Sequence, residues 1–175
     1  MSQSHASPRS GSTPRVRRPP RIELSHRRIR VVFGGIVIAD TTRPLHVIET
    51  LCPRTWYIPP EDVRLDLLIP SAGTIWCEFK GRARLFDLIV GSHRSTAAAW
   101  SYPNPRNAYV ELRDHVAFRA SRVDEAWVDD RRAHDEVGDY PQSGWITREV
   151  VSIVPHEHEL VDREAENERE LEQDM

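Results

Sequence analysis

One residue type is almost missing from this chain. Among 175 residues there is a single lysine, Lys80, against 23 arginines. The arginine excess fits a GC-rich coding bias, so the lone lysine directs attention to its surroundings, WCEFKG over residues 76–81, without assigning it a role. Cysteine is scarce too. Cys52 and Cys77 form no Cys-x-x-Cys pair, so a zinc site with four Cys/His ligands has no local support. A disulfide between them is disfavoured in a reducing cytosol. No apolar run approaches the roughly 18–20 residues of a membrane span. The N-terminal arginines are not followed by the apolar stretch of a secretory signal, and prolines at positions 8, 14, 19 and 20 oppose an amphipathic transit helix. There is no Gly-rich phosphate loop, no Ser-His-Asp signature and no His-Glu-x-x-His. Asp129-Asp130 is the one adjacent aspartate pair, and the arginines after it suggest a turn rather than a magnesium site.

Charge divides the chain into three. Residues 1–30 hold eight arginines and one acid, a net +7. Residues 156–175 hold nine acids and two arginines, a net −7. The remainder has 14 basic and 17 acidic residues, and the three parts sum to −3. The expected organisation is a disordered basic tail over 1–27, one β domain over 28–155, and an acidic tail over 156–175 that is disordered or a frayed helix. His156 and His158 lie in that acidic tail and are not expected to hold a metal. Nucleic acid is not an expected partner. The core shows no helix-turn-helix or zinc-finger pattern, and its aromatics are not interleaved with a basic stripe along the sequence.

The core reads as β. In IRVVFGGIVIAD two β-branched runs flank Gly34-Gly35, the signal of a two-residue hairpin turn. LHVIE is a further strand. RTWYIPPEDVRLDLL begins extended and makes a short helical turn after its prolines. TIWCEFKG alternates, with Ile75, Cys77 and Phe79 on one face and Trp76, Glu78 and Lys80 on the other; Gly81 then marks a kink or bulge. ARLFDLIV, STAAAWSY, HVAFRA and EAWVDD follow at short spacing, and GWITREVVSIV is either strand or short helix. The pattern predicts an all-β, compact, mainly antiparallel domain with short helical turns.

Five stretches occur here in one order: PRTWYIPPEDVRLDLL, CEFKGRA, AAWSYPNP, HVAFRASRVDEAWVDD and SGWIT. Together, over roughly residues 29–150, the chain resembles the DUF427 family of small bacterial, cyanobacterial and fungal proteins of unknown function. The resemblance implies a β-tent-like or small-barrel fold with an exposed cavity lined by apolar and aromatic residues. The family is sometimes labelled a nucleotidyltransferase, but no motif here carries that chemistry. The segment after GWIT departs from the Gly-Pro-Phe-Lys-Gly ending of many relatives. The paired Cys-x-x-Cys of zinc-binding β-tent proteins is absent.

The candidate site residues follow. Trp56, Tyr57, Trp100, Tyr102 and Trp127 are aromatics, several with a polar handle, that suit a small-molecule pocket; each alone also reads as ordinary core or rim. Arg64 and Lys80 would give that pocket polarity. Lys80 is either an anion or carbonyl contact at a cavity rim or a surface lysine. Cys77 is either an inert core thiol or, beside a lysine, a nucleophile. Glu49 is an acid–base candidate, alone or with Asp62, whereas Asp62 capping a turn and Arg64 in a salt bridge is the simpler account. The expected function is binding of a small organic ligand or a side chain. An enzyme using Cys77, Lys80 or Glu49 is the alternative, and an interaction module acting through the charged tails is a third. No cofactor, metal or membrane partner is expected, and the expected location is the cytoplasm.

Overall fold

The structure, a computed structural model, describes residues 18–49, 54–135 and 144–147. It is mostly β, in several antiparallel sheets that do not close into a barrel among the described residues. The predicted hairpin joins β2 (Ile29–Phe33) to β3 (Ile36–Thr41). Gly34 and Gly35 both take positive φ, 57° and 73°, the requirement of the turn whose twist matches its strands. Alternation along β2 buries Ile29, Val31 and Phe33. β10 (Glu125–Val128) and β11 (Arg131–Arg132) extend this sheet in the order β11-β10-β2-β3.

A second sheet runs β1-β4-β5, with β1 at Arg21–Leu24, β4 at Leu45–Ile48 and β5 at Thr55–Tyr57. β1 lies within the segment that composition assigned to a disordered tail. Its backbone pairs with β4 from Arg21↔Ile48 to Leu24↔Leu45, and backbone pairing leaves no compositional trace in an Arg-rich stretch. The largest sheet runs β6-β7-β8-β9, with β6 at Leu68–Cys77, β7 at Gly81–Val90, β8 at His93–Ser101 and β9 at Val116–Phe118. Reciprocal backbone bonds between Ile58 and Val116, at 2.8 and 2.9 Å, tie β5 to β9 and so join these two sheets. A short pair, β12 (His134–Asp135) with β13 (Trp145–Ile146), completes the described strands. The predicted helical turn after Pro59 appears as two 3-10 turns, Pro60–Asp62 and Leu65–Leu67.

β5 divides the core. Successive strand residues face opposite sides, and Trp56 packs in one cluster with Ile29, Val31, Phe118 and Trp145 while Tyr57 packs in another with Trp100, Tyr102, Tyr109 and Leu112. The β7–β8 pairing slips between Phe86 and Leu88, and Ala97 opposite takes φ 48°. Asp87, 4% exposed, holds this bulge by accepting the Ala97 N–H at 2.9 Å and Arg94 at 2.6 Å. A Ser71 hydroxyl, the Ala97 N–H and Arg94 pull its carboxyl down to about 2.

Candidate functional site

β6 does not run on to Lys80 as the alternation suggested. The strand ends at Cys77, residues 78–80 make a turn, and β7 begins at Gly81 with φ 101°. The turn changes the direction of Lys80. Instead of joining exposed Trp76 and Glu78, it is 1% exposed, one of the largest fully buried side chains of the protein. Its backbone is fixed on both sides. The Lys80 N–H donates to Cys77 Sγ at 3.5 Å, and its carbonyl accepts from the Arg106 N–H at 3.0 Å. The reading of Lys80 as a surface lysine is therefore replaced by a buried one.

The Lys80 ammonium is paired with Glu49, the residue after β4, through Nζ and Oε1. Glu49 keeps 19% of its side chain exposed, so the pair is buried at its cationic end and opens to solvent at its anionic end. An ammonium has three N–H donors. Among the described residues it finds this one acceptor. Taking both charges from water is expensive, and such a pair is weak evidence for stability alone.

Around it stand the tyrosines of the second cluster. The Trp100 indole N–H donates to Tyr57 Oη at 3.2 Å, with the two rings edge-on at 6.3 Å. The Tyr57 and Tyr102 rings are also 6.3 Å apart, and their hydroxyls are hydrogen-bonded. Tyr109 Oη donates to the Pro20 carbonyl at 3.2 Å. Burial raises the pKa of all three tyrosines, and the nearby Glu49 carboxylate pushes each further up. These hydroxyls stay protonated across the physiological range. Cys77 is a free thiol, half-buried against the same cluster with Phe79.

The fold thus brings together Glu49, Tyr57, Cys77, Lys80, Trp100 and Tyr102. The other three residues expected at the pocket lie elsewhere. Trp56, on the opposite side of β5, stacks on His46 at 4.6 Å and 19°. Trp127 is half-buried on β10, with its indole N–H on Glu125 at 2.8 Å. Arg64 is exposed and paired with Asp66 at 2.8 and 2.9 Å. Asp62 accepts from the Thr41 hydroxyl at 2.7 Å, and Arg43 lies 3.4 Å away; the partner of Glu49 is Lys80 instead. Tyr109 and His46 were not singled out from sequence, where neither lies in a motif. The His46 imidazole is 5% exposed, its Nε2 meets no partner, and burial together with the nearby Arg54 and Arg27 charges pushes its pKa down to about 4. Cys52, His156 and His158 lie outside the described residues, as does the segment after Thr147. No group of three His, Cys, Asp or Glu that could hold a metal occurs among the described residues. No described helix is long and apolar enough to cross a membrane.

A search among curated proteins finds no match to the chain. The family model described as Domain of unknown function (DUF427) matches residues 21–129, a span that starts with β1 and holds the buried lysine, its glutamate and the whole tyrosine cluster, so this chain belongs to the DUF427 family.

Proposed function

We propose that the Lys80–Glu49 pair and its tyrosines bind a small organic ligand bearing a carbonyl or carboxylate oxygen. The observation that carries this reading is the buried ammonium with a single described acceptor. A ligand oxygen would take a second Lys80 donor, as a point charge suits. Tyr57, Tyr102 and Trp100 would pack its apolar part. Access would run past Glu49 and Cys77, which keep some exposure, because the rings themselves are fully buried. The test is a thermal-shift screen of small carboxylates, keto acids, sugars and nucleotides on the full chain and on Lys80→Met. A compound that raises the melting temperature of the wild type and not of the variant supports the site. A panel without such a compound, run on a variant that melts cooperatively, refutes it.

The same juxtaposition favours a second reading, an enzyme. Glu49 would take a proton from the ammonium, leaving a neutral amine to attack a carbonyl carbon. Water then leaves and a Schiff base forms. Borohydride reduction in the presence of a keto acid would fix the adduct on Lys80 as a mass increase. An unmodified Lys80 under those conditions removes this reading and leaves the first intact.

A further inference from the structure

We infer that the outer face of the β6–β7 hairpin binds single-stranded nucleic acid, with a base stacked on Trp76 and phosphates on Arg82, Arg84 and Arg106. Trp76 is 63% exposed, the outlier among the tryptophans, since Trp56, Trp100 and Trp145 are buried and Trp127 half-buried. It stands directly across the ladder from Arg82, and Thr74 stands across from Arg84. The neighbours Ile75 and Ala83 turn inward, so Thr74, Trp76, Arg82 and Arg84 share the solvent face. Arg82 and Arg84 are two residues apart, about 6.6 Å along the strand. Arg106 reaches over from the loop before the 3-10 segment Asn107–Leu112, its guanidinium 5.7 Å from the Trp76 ring centre. Its backbone bond to the Lys80 carbonyl fixes the origin of that side chain.

Several arginines elsewhere are paired: Arg28 with Asp40, Arg43 with Glu61, Arg64 with Asp66 and Arg94 with Asp87. Arg82, Arg84 and Arg106 have no carboxylate partner among the described residues. Of the acids near them in sequence, Glu78, in the adjoining turn, is engaged in an interaction of its own, and Asp87 is buried and taken by Arg94 and the Ala97 N–H. Three uncompensated guanidinium groups around an exposed indole complement a polyanion that also carries flat rings. Stacking of a base on an aromatic or guanidinium plane is tolerant of sequence, and the arginines track the backbone. No basic stripe interleaved with aromatics is visible along the chain, because two strands and a loop residue 30 positions after Trp76 contribute to it.

The experiment is fluorescence anisotropy of a dye-labelled oligothymidylate of about ten nucleotides, within the ~4–16 that such a surface covers, titrated with the full chain. Salt runs from about 50 to about 200 mM. Trp76→Ala should weaken binding between about 5-fold and about 100-fold. Three phosphate contacts give a slope of log affinity against log salt near about −2, and Arg82→Gln/Arg84→Gln together should lessen it by about 1.4. An abasic chain of the same length should bind more weakly than oligothymidylate. Because the basic N-terminal residues could bind the same probe, a full chain with Arg9, Arg15 and Arg17 changed to Gln should retain the Trp76 dependence. All substituted residues are exposed or outside the described fold, so melting temperatures should be unchanged. The inference is overturned if no complex forms at about 50 mM salt, or if Trp76→Ala binds like wild type. It is equally overturned if the abasic chain binds as well as the oligonucleotide. A peptide of residues 156–175 that binds in a Trp76-dependent manner while the oligonucleotide does not would also overturn it, and assign the face to acidic protein segments.

Discussion

Lowering the pH from 7 to 4 should loosen this protein through one residue, His46. The ring is 5% exposed, stacked on Trp56 in the middle of the β1-β4-β5 sheet, without a partner at Nε2. Its pKa falls from 6.5 to about 4 on folding, first through burial and then through Arg54 and Arg27. The folded state refuses a proton that the unfolded chain accepts, so stability is undiminished above pH 6.5 and falls as pH drops from 6.5 to 4. The difference of about 2.5 units, at about 1.36 kcal/mol each, has a limit of about 3.4 kcal/mol well below pH 4, and amounts to about 3 kcal/mol at pH 4 and about 2 kcal/mol at pH 5. For a chain of this size that last figure is a loss of about 4–8 °C in melting temperature. The assay is urea unfolding at pH 7, 6 and 5 of the wild type and of His46→Asn, which does not titrate. The variant has its own constant offset from lost stacking, but its pH dependence should be flatter by these amounts. Equal slopes for both proteins would refute the argument. Because β4 leads directly to Glu49, ligand binding at Lys80 should weaken over the same pH window in the wild type.

Three further outcomes rest on separate features. Glu49→Gln leaves the Lys80 ammonium buried without its countercharge and should destabilise by about 3–5 kcal/mol, whereas Lys80→Met combined with Glu49→Gln should recover much of that loss; chemical denaturation of Glu49→Gln, Lys80→Met and the double variant measures the coupling. Asp87→Asn should cost about 2.5 kcal/mol at neutral pH, since the carboxyl is held down to about 2, and the variant should lack that one contribution to the loss of stability as pH falls from about 4 to 2. In the hairpin turn, Gly35→Ala meets open space and should cost only the left-handed backbone penalty of about 1–2 kcal/mol. Gly34→Ala should cost clearly more, because its Cβ would sit 2.8 Å from Val90 Cγ1; equal melting temperatures for the two would contradict that contact.

The sequence by itself determined the local part of this protein. Gly34-Gly35 between β-branched runs and the prolines at 59 and 60 are encoded within a few residues of where they act. The hairpin and the 3-10 turns follow from them. Only the tertiary structure decided the rest. β1 is held by backbone pairing with β4, which any sequence can supply. Lys80 and Glu49 are 31 residues apart, and the turn that carries Lys80 inward is set by Gly81 with φ 101°, where strand alternation pointed the side chain out. Trp56 and Trp127 share composition with Trp100 but not its cluster, because the face a residue presents depends on which sheet covers it. Trp76 gained three arginine neighbours for a related reason: contacts across a ladder and from a distant loop leave no periodicity in the chain that makes them.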